Sequence, residues 1–206
     1  MVSDRERLVR RGKRLQYFTI GWNFLEAFVS VIAGLLAGSV ALIGFGLDSL
    51  IEVTSGAAVL WRLHEDKDVA RRERAERLAL RVVGSCFLLL SAYITYESLE
   101  ALIKTQAPER SIPGIVIAAA SLVSMPLLSR AKRQVGSGLN SIAMVADARQ
   151  TDFCVYLSAI LLAGLLLNAV FGLWWADPVA GLLMVPIIAK EGIDGWRSKT
   201  CCDDCH

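Results

Sequence analysis

The sequence predicts an all-α membrane protein with six transmembrane helices. Of its 206 residues, 54% are hydrophobic, and most of these are gathered in long blocks. A helix needs about 20 mostly apolar residues to cross a bilayer, and six blocks are of roughly that length. The predicted helices span 16–37, 41–62, 78–103, 112–128, 139–171 and 176–195.

The first two helices are separated only by the segment AGSV, which predicts a tight hairpin. The first block follows a basic arm and is as long as the others, so it does not resemble a cleaved signal peptide. In the fourth and sixth helices, Pro126 and Pro186 stand inside apolar runs. Neighbouring helices can satisfy the backbone groups that a proline leaves free in a membrane.

Basic residues indicate the orientation of these helices. The arm 1–16 and the loop 62–77 hold six Lys/Arg each, and SRAKR and the end of the chain hold three each. The connections on the opposite side hold Lys104 and Arg110. Since positive loops stay in the cytoplasm, we expect both termini there and interpret the basic runs as headgroup anchors. A net charge of +2 without interleaved aromatic residues gives little support to nucleic-acid binding.

The second and fifth helices carry similar polar patterns, which suggests an internal repeat. SVALIGFGLDSLIEV aligns with SIAMVADARQTDFCV, and this register places Asp48 on Gln150 and Glu52 on Cys154. The two members of each pair are four residues apart and share one helix face. Small-residue repeats are common at helix contacts. However, packing does not require charged residues in a bilayer core, where they are costly.

Two facing helices with one such pair each can supply four ligands, the number that a tetrahedral metal site needs. Repeats in transporters often meet at the binding site. Asp147 shares the polar face of the fifth helix, because successive residues are about 100° apart. The sequence therefore predicts a metal site with these candidate ligands: Asp48, Glu52, Gln150, Cys154 and Asp147.

Other polar residues lie at a similar depth in the predicted helices. Asn23 and Glu26, on the first helix, either hold the metal ligands or line a water path, and the sequence does not separate these roles. Asp152 lies on another face of the fifth helix, three residues from Arg149. We expect Arg149 and Asp152 to form an ion pair, which lowers the cost of placing either in the membrane.

These helices resemble those of a known family. SVALIGFGLDSLIEV, SIAMVADARQTD and the Asp-Pro of WWADPVAGLLMV resemble the second, fifth and sixth helices of the cation diffusion facilitators. FGLDSLIEVTSGAAVLWRL is similar to the family's small vesicular zinc-efflux branch. The resemblance covers about 15–196 and implies export of Zn, or of Cd or Co, from the cytoplasm by alternating access. It also implies exchange for protons and a homodimer, and we expect no permanent cofactor and no enzymatic activity.

The chain departs from the family's pattern in its ligands. The family usually has two aspartates on the second helix and His with Asp on the fifth. Here the matching positions hold Asp48 and Glu52, and Gln150 and Cys154. A thiolate is a soft ligand, which favours Zn, Cd, Co or Cu(I) over Mg, Ca or Mn.

The division of the chain is also unusual for the family. We expect a basic cytoplasmic arm (1–16), a six-helix transmembrane domain (17–196) and a cysteine-rich cytoplasmic tail (197–206). The family's cytoplasmic metal-sensing domain would follow Arg197, so the chain resembles a short form that lacks it. The tail ends in CCDDCH, which is either a metal-capturing group or a solvated end. Its candidate ligands are Cys201, Cys202, Cys205 and His206.

A weaker candidate for a cation site is HEDKD (64–68), where a helix end running into solvated charge is an equal explanation. A disulfide framework is not expected, because three of the five cysteines lie in the predicted cytoplasmic tail. Three other functions remain to be weighed: a membrane metal sensor or scaffold that does not transport, an exporter of organic molecules, and an intramembrane enzyme. Both histidines, His64 and His206, lie outside the predicted helices, which disfavours the enzyme.

Overall fold

The computed structural model describes residues 4–62, 69–139 and 142–197. Over these ranges the chain is helical apart from the connections 38–39, 104–111 and 172–175 and single residues at the ends of the ranges, as the apolar blocks predict. The described part contains six helices, and their bounds are α1 (Asp4–Ala37), α2 (Val40–Arg62), α3 (Val69–Ile103), α4 (Ile112–Gly138), α5 (Ile142–Phe171) and α6 (Ala176–Trp196).

Five of the described helices, α1 to α5, are long and apolar enough to cross a membrane. Helix α6 is long enough but is not apolar enough by the same comparison, because four of its 21 residues are charged. The prediction of an all-α, multi-pass membrane protein is confirmed, whereas a crossing by the sixth helix stays a prediction. The charged residues of α6 are Asp177, Lys190, Glu191 and Asp194.

The surface of the bundle is apolar and its interior holds polar groups. Leu36 and Ile103 are 78% and 82% exposed, as expected for side chains that face lipid. By contrast, Gln16, Asn23 and Glu26 on α1 are fully buried. This distribution matches a membrane protein, in which polar residues turn towards the bundle interior.

The helices form a closed ring in the order α1, α2, α3, α6, α5, α4, with α4 returning to α1. Within the described residues, α2 also contacts α5 and α6 across the ring. Side chains on the inner face of α2 therefore meet those of α5. Phe45 of α2, Ile94 of α3, Leu161 of α5 and Met184 of α6 are fully buried in the apolar core that surrounds this crossing.

Adjacent helices approach closely where glycines face each other. A Cβ atom on Gly84 of α3 would lie 2.7 Å from the carbonyl oxygen of Gly192 on α6 and 2.8 Å from the backbone nitrogen of Trp196. No side chain larger than hydrogen fits at that distance. Small residues at helix contacts are the usual means of close packing in membranes, and here they hold α3 against α6.

The tight hairpin between α1 and α2 is confirmed, since α1 ends at Ala37 and α2 begins at Val40. Gly38 takes the left-handed conformation at φ +66° that ends α1. Ser39 caps α2, because its Oγ accepts from the backbone N–H of Leu42 at 3.1 Å. Asp177 of α6 adds a second cap, with its Oδ2 accepting from the backbone N–H of Val40 at 2.9 Å and its Oδ1 from Ser39 Oγ at 2.5 Å.

Three helices extend beyond their predicted bounds. Helix α1 starts at Asp4 inside the basic arm, α3 starts at Val69, and α4 continues to Gly138. An apolar block indicates only the part of a helix that matches the bilayer, and good helix formers such as Arg, Lys and Ala carry the helix further. The interpretation of SRAKR as a set of headgroup anchors is wrong for Lys132, which is 1% exposed.

Candidate metal centre

The crossing of α2 and α5 brings three of the predicted ligands together. Cys154 Sγ on α5 lies 3.5 Å from Asp48 Oδ2 on α2, and the thiol is oriented to donate to that oxygen. The same thiol interacts with the carboxylate of Glu52, one turn further along α2. Asp48, Glu52 and Cys154 are 4%, 6% and 1% exposed, so all three face the interior.

The two helices run antiparallel through this region. Seven residues after Asp48, Ser55 Oγ donates to Gln150 Oε1 at 2.8 Å, and Gln150 precedes Cys154 by one turn. Gln150 thus lies next to the other candidates, but its oxygen is held by Ser55. Its Nε2 atom is buried and has no hydrogen-bond partner among the described residues.

Asn23 and Glu26 take different positions around these ligands. Asn23 Nδ2 donates to Glu52 Oε2 at 2.7 Å, so α1 holds the Glu52 carboxylate directly. Glu26 instead accepts from Ser49 Oγ at 3.1 Å and from Ser121 Oγ of α4. Of the two residues, Asn23 is the one that positions a candidate ligand.

Asp147 lies in a separate cluster of polar groups, in which the sequence did not indicate Gln16 or Lys132. Its Oδ2 atom is 2.8 Å from Lys132 Nζ of α4 and accepts from Gln16 Nε2 of α1 at 2.6 Å. Lys132 Nζ also donates to Thr151 Oγ1 at 3.0 Å. In the structure, the carboxylate of Asp147 therefore forms an ion pair with the ammonium group of Lys132.

The expected ion pair between Arg149 and Asp152 is not formed. Arg149 is exposed, and the Asp152 carboxylate instead accepts from Arg133 and Ser129, both on α4. The sequence argument placed Arg149 and Asp152 three residues apart on one helix. The sequence argument did not include residues of α4 as partners of Asp152. That helix extends ten residues beyond its predicted end at Leu128, and the extension packs against α5 near Asp152.

The residues around Asp48 are arranged as hydrogen-bonded pairs. Within 4–62, 69–139 and 142–197, no group of three or more His, Cys, Asp or Glu side chains has a geometry that could hold a metal ion. The Cys154 thiol is oriented to donate to Asp48, and a cation bound by both side chains would have to replace the thiol proton. A metal ion would therefore bind here with rotation of side chains and loss of that proton.

The comparison with known proteins connects this site to a family. The chain matches the family model described as the cation efflux transmembrane domain over residues 17–198. The chain belongs to the cation diffusion facilitator family. The resemblance drawn from its second, fifth and sixth helices is confirmed.

Three relatives of this cation diffusion facilitator share about the same degree of similarity. An uncharacterized transporter of Methanocaldococcus jannaschii is 27% identical over 192 residues, 90% of this chain and 68% of that protein. Transmembrane protein 163 of Xenopus laevis is 27% identical over 186 residues, 87% of this chain and 64% of the relative. The cation-efflux pump FieF of Shewanella oneidensis is 28% identical over 118 residues, 57% of this chain and 38% of that pump. The chain thus spans less than two thirds of the last two relatives.

Two candidate sites of this cation diffusion facilitator lie outside the described residues. These are the loop at His64 and the end of the chain with Cys201, Cys202, Cys205 and His206, and their metal binding stays a prediction. Inside the bundle, the sequence analysis missed Gln16 and Lys132. One signal was available for α4, since Met125, Leu128 and Lys132 recur at the spacing of a buried helix face.

Proposed function

We propose that this cation diffusion facilitator exports a divalent transition-metal ion from the cytoplasm by alternating access, in exchange for protons. Its family is one of divalent cation transporters. Zn is the expected substrate, with Cd and Co as alternatives. The observation that supports this choice is the buried contact of Cys154 with Asp48, beside Glu52.

The ligand chemistry supports a metal of intermediate softness. Asp48 and Glu52 supply hard oxygens, and Cys154 supplies a soft sulfur. Zn accepts both kinds of ligand at once, whereas Mg and Ca bind oxygen ligands almost exclusively. Gln150 is the fourth proposed ligand, and rotation about its side chain would release its oxygen from Ser55 and turn it towards the ion.

The hydrogen bonding of the site supports coupling to protons. Carboxylates and thiols bind metal when deprotonated, so metal and protons compete for the same atoms. The Cys154 thiol is oriented to donate its proton to Asp48. In the proposed cycle, an ion arriving from the cytoplasm displaces that proton, and protons from the opposite side displace the ion.

The orientation and assembly of the transporter are part of the same proposal. We place both termini in the cytoplasm, because the basic residues of the sequence are concentrated on that side. We also propose a homodimer. The apolar outer faces of the helices would supply the dimer contact, as they do for lipid.

Flux measurements in proteoliposomes test the proposal. Uptake of Zn, Cd and Co is followed with and without an imposed pH gradient, for the wild type, Asp48→Ala and Cys154→Ser. Cys86→Ser is the matched control for Cys154→Ser, because Cys86 on α3 is an exposed free cysteine. Glu97→Gln, also on α3 and half-buried, controls for the removal of a carboxylate from the bundle.

Flux that needs the pH gradient, and that is lost in both site variants but kept in both controls, would support metal–proton exchange at this site. Flux of equal rate with and without the pH gradient would reject proton coupling but would still be consistent with metal export. Metal binding that requires Asp48 without any flux would favour a membrane metal sensor or scaffold instead. The absence of family histidine at the Gln150 position gives that alternative some support.

A further inference from the structure

A buried positive charge lies beside the proposed metal site. Lys132 of α4 is 1% exposed, and its Nζ atom contacts Asp147 Oδ2 at 2.8 Å and Thr151 Oγ1 at 3.0 Å. Gln16 of α1 donates to the same Asp147 oxygen at 2.6 Å. We call Gln16, Asp147 and Thr151 the oxygen cluster. It joins α1 to α5, and the ammonium of α4 lies in contact with it.

The oxygen cluster has the composition of a cation site. It offers a carboxylate, a hydroxyl and the amide of Gln16, whose Oε1 atom is fully buried and has no partner among the described residues. Oxygen donors of these kinds are the ligands that hard divalent cations prefer. Without the ammonium, the Asp147 carboxylate would remain buried without a compensating charge, which is strongly unfavourable.

The oxygen cluster is also near the proposed transport site. Asp147 precedes Cys154 by seven residues on one face of α5, or about 10 Å along the helix axis. Lys132 and Asp147 both interact electrostatically with Glu52. A divalent ion at Asp147 would therefore repel the transported ion, whereas an ammonium in that position leaves the cluster with no net charge.

We propose that the Lys132 ammonium is a tethered cation that occupies the oxygen cluster and keeps a second, hard divalent cation out of it. The bundle then holds one exchangeable metal ion per protomer, at Asp48, Glu52 and Cys154, and Asp147 acts as the partner of Lys132. The part of this inference that concerns the exchangeable ion rests on the proposed function. The exclusion of a hard cation at Asp147 can be measured separately.

The test measures Mn²⁺ binding to the purified full chain by electron paramagnetic resonance, in saturating Cd²⁺ so that the thiol-containing site is filled. The variants are Lys132→Met, Asp147→Asn, the double variant Lys132→Met/Asp147→Asn, and Lys132→Arg as the charge-conserving control. Asp48→Ala tests whether Cd²⁺ binding needs the proposed transport site. Lys132→Met should bind one Mn²⁺ per protomer more than the wild type. The double variant and Lys132→Arg should gain none.

Thermal stability gives a second readout if Lys132→Met folds poorly. A ligand that binds only the folded state raises the midpoint of unfolding. Mn²⁺ should therefore stabilise Lys132→Met and leave the double variant unchanged. The inference would be overturned if Lys132→Met neither bound Mn²⁺ nor was stabilised by it. It would also be overturned if the wild type bound Mn²⁺ and Asp147→Asn removed that binding. Loss of the Asp48 dependence of Cd²⁺ binding would instead count against the proposed function.

Discussion

Asn23 Nδ2 on α1 donates a hydrogen bond to Glu52 Oε2 on α2 at 2.7 Å, and both side chains are buried. The amide thereby fixes the orientation of a carboxylate that we propose as a metal ligand. Asn23 Oδ1 has no hydrogen-bond partner among the described residues. The main polar contact of this amide is thus to Glu52, and the contact links α1 to the proposed metal site.

Replacing Asn23 by Ala should weaken metal binding without abolishing it. Removal of a group that orients a metal ligand typically costs about 10–100-fold in affinity or activity. We expect the KM for Zn in proteoliposomes to rise by a factor in that range. Asn168→Ala is the control, because it removes a buried amide that donates to the Pro108 carbonyl oxygen instead. An unchanged KM in Asn23→Ala would show that Glu52 needs no support from α1.

Replacing Cys154 by Asp should change the order of preferred metals. The substitution exchanges a soft sulfur for a hard oxygen, and softer ions lose more from that exchange. We expect the ratio of Cd to Zn transport to fall by roughly tenfold, an energy difference of about 1.4 kcal/mol. Competition between the two metals in one flux assay measures the ratio. A ratio that Cys154→Asp and Cys86→Ser leave equally unchanged would remove the thiol from the site.

The contrast between Asp48 and Lys132 shows how far the sequence could predict the site. The sequence indicates Asp48, Glu52 and Cys154 as candidate ligands, because polar residues four apart on an apolar helix are conspicuous. Lys132 was assigned to a headgroup anchor, because SRAKR looks like the end of a helix and hydropathy cannot show which of its residues turn inward. The predicted ion pair of Asp152 with Arg149 is wrong for a related reason. Spacing along one helix indicates Arg149 as the partner, whereas Arg133 of α4 pairs with Asp152 in the structure.

The fold was more predictable than these contacts. The six apolar blocks determine the number of helices, and AGSV predicts the hairpin that Gly38 completes. The order of helices around the ring depends on which small residues face each other, such as Gly84 and Gly192. Those pairings join distant parts of the chain, so no local pattern reveals them.

Two neighbouring basic residues of α4 should differ sharply in their effect on stability. Lys132 is buried with Asp147, and removing one partner of a buried pair costs about 3–5 kcal/mol. Arg133 and Asp152 have side chains that are 54% and 38% exposed, where an ion pair contributes about 1 kcal/mol or less. Heating Lys132→Ala and Arg133→Ala in detergent, followed by gel filtration, compares them. Equal losses of folded protein would contradict this difference.

Position 84 should not accept a residue larger than glycine, whereas position 21 should accept alanine. A Cβ atom on Gly84 would lie 2.7 Å from the Gly192 oxygen, and overpacking of this kind costs about 1–3 kcal/mol. At Gly21 of α1 no described atom lies within 4 Å of an added Cβ, and alanine is the better helix former. Gly84→Ala should lower the unfolding temperature in detergent, while Gly21→Ala keeps or raises it. The reverse order would show that α3 and α6 can separate freely.

The cap that Asp177 places on α2 has a consequence for biogenesis. The second helix of the chain begins with backbone N–H groups whose acceptor is a carboxylate 137 residues further along the chain. During synthesis, the N–H group of Val40 cannot form this hydrogen bond until α6 has been made. Insertion of the hairpin of α1 and α2 therefore leaves its turn unfinished until α6 is made, and α6 then completes the start of the helix that carries Asp48 and Glu52.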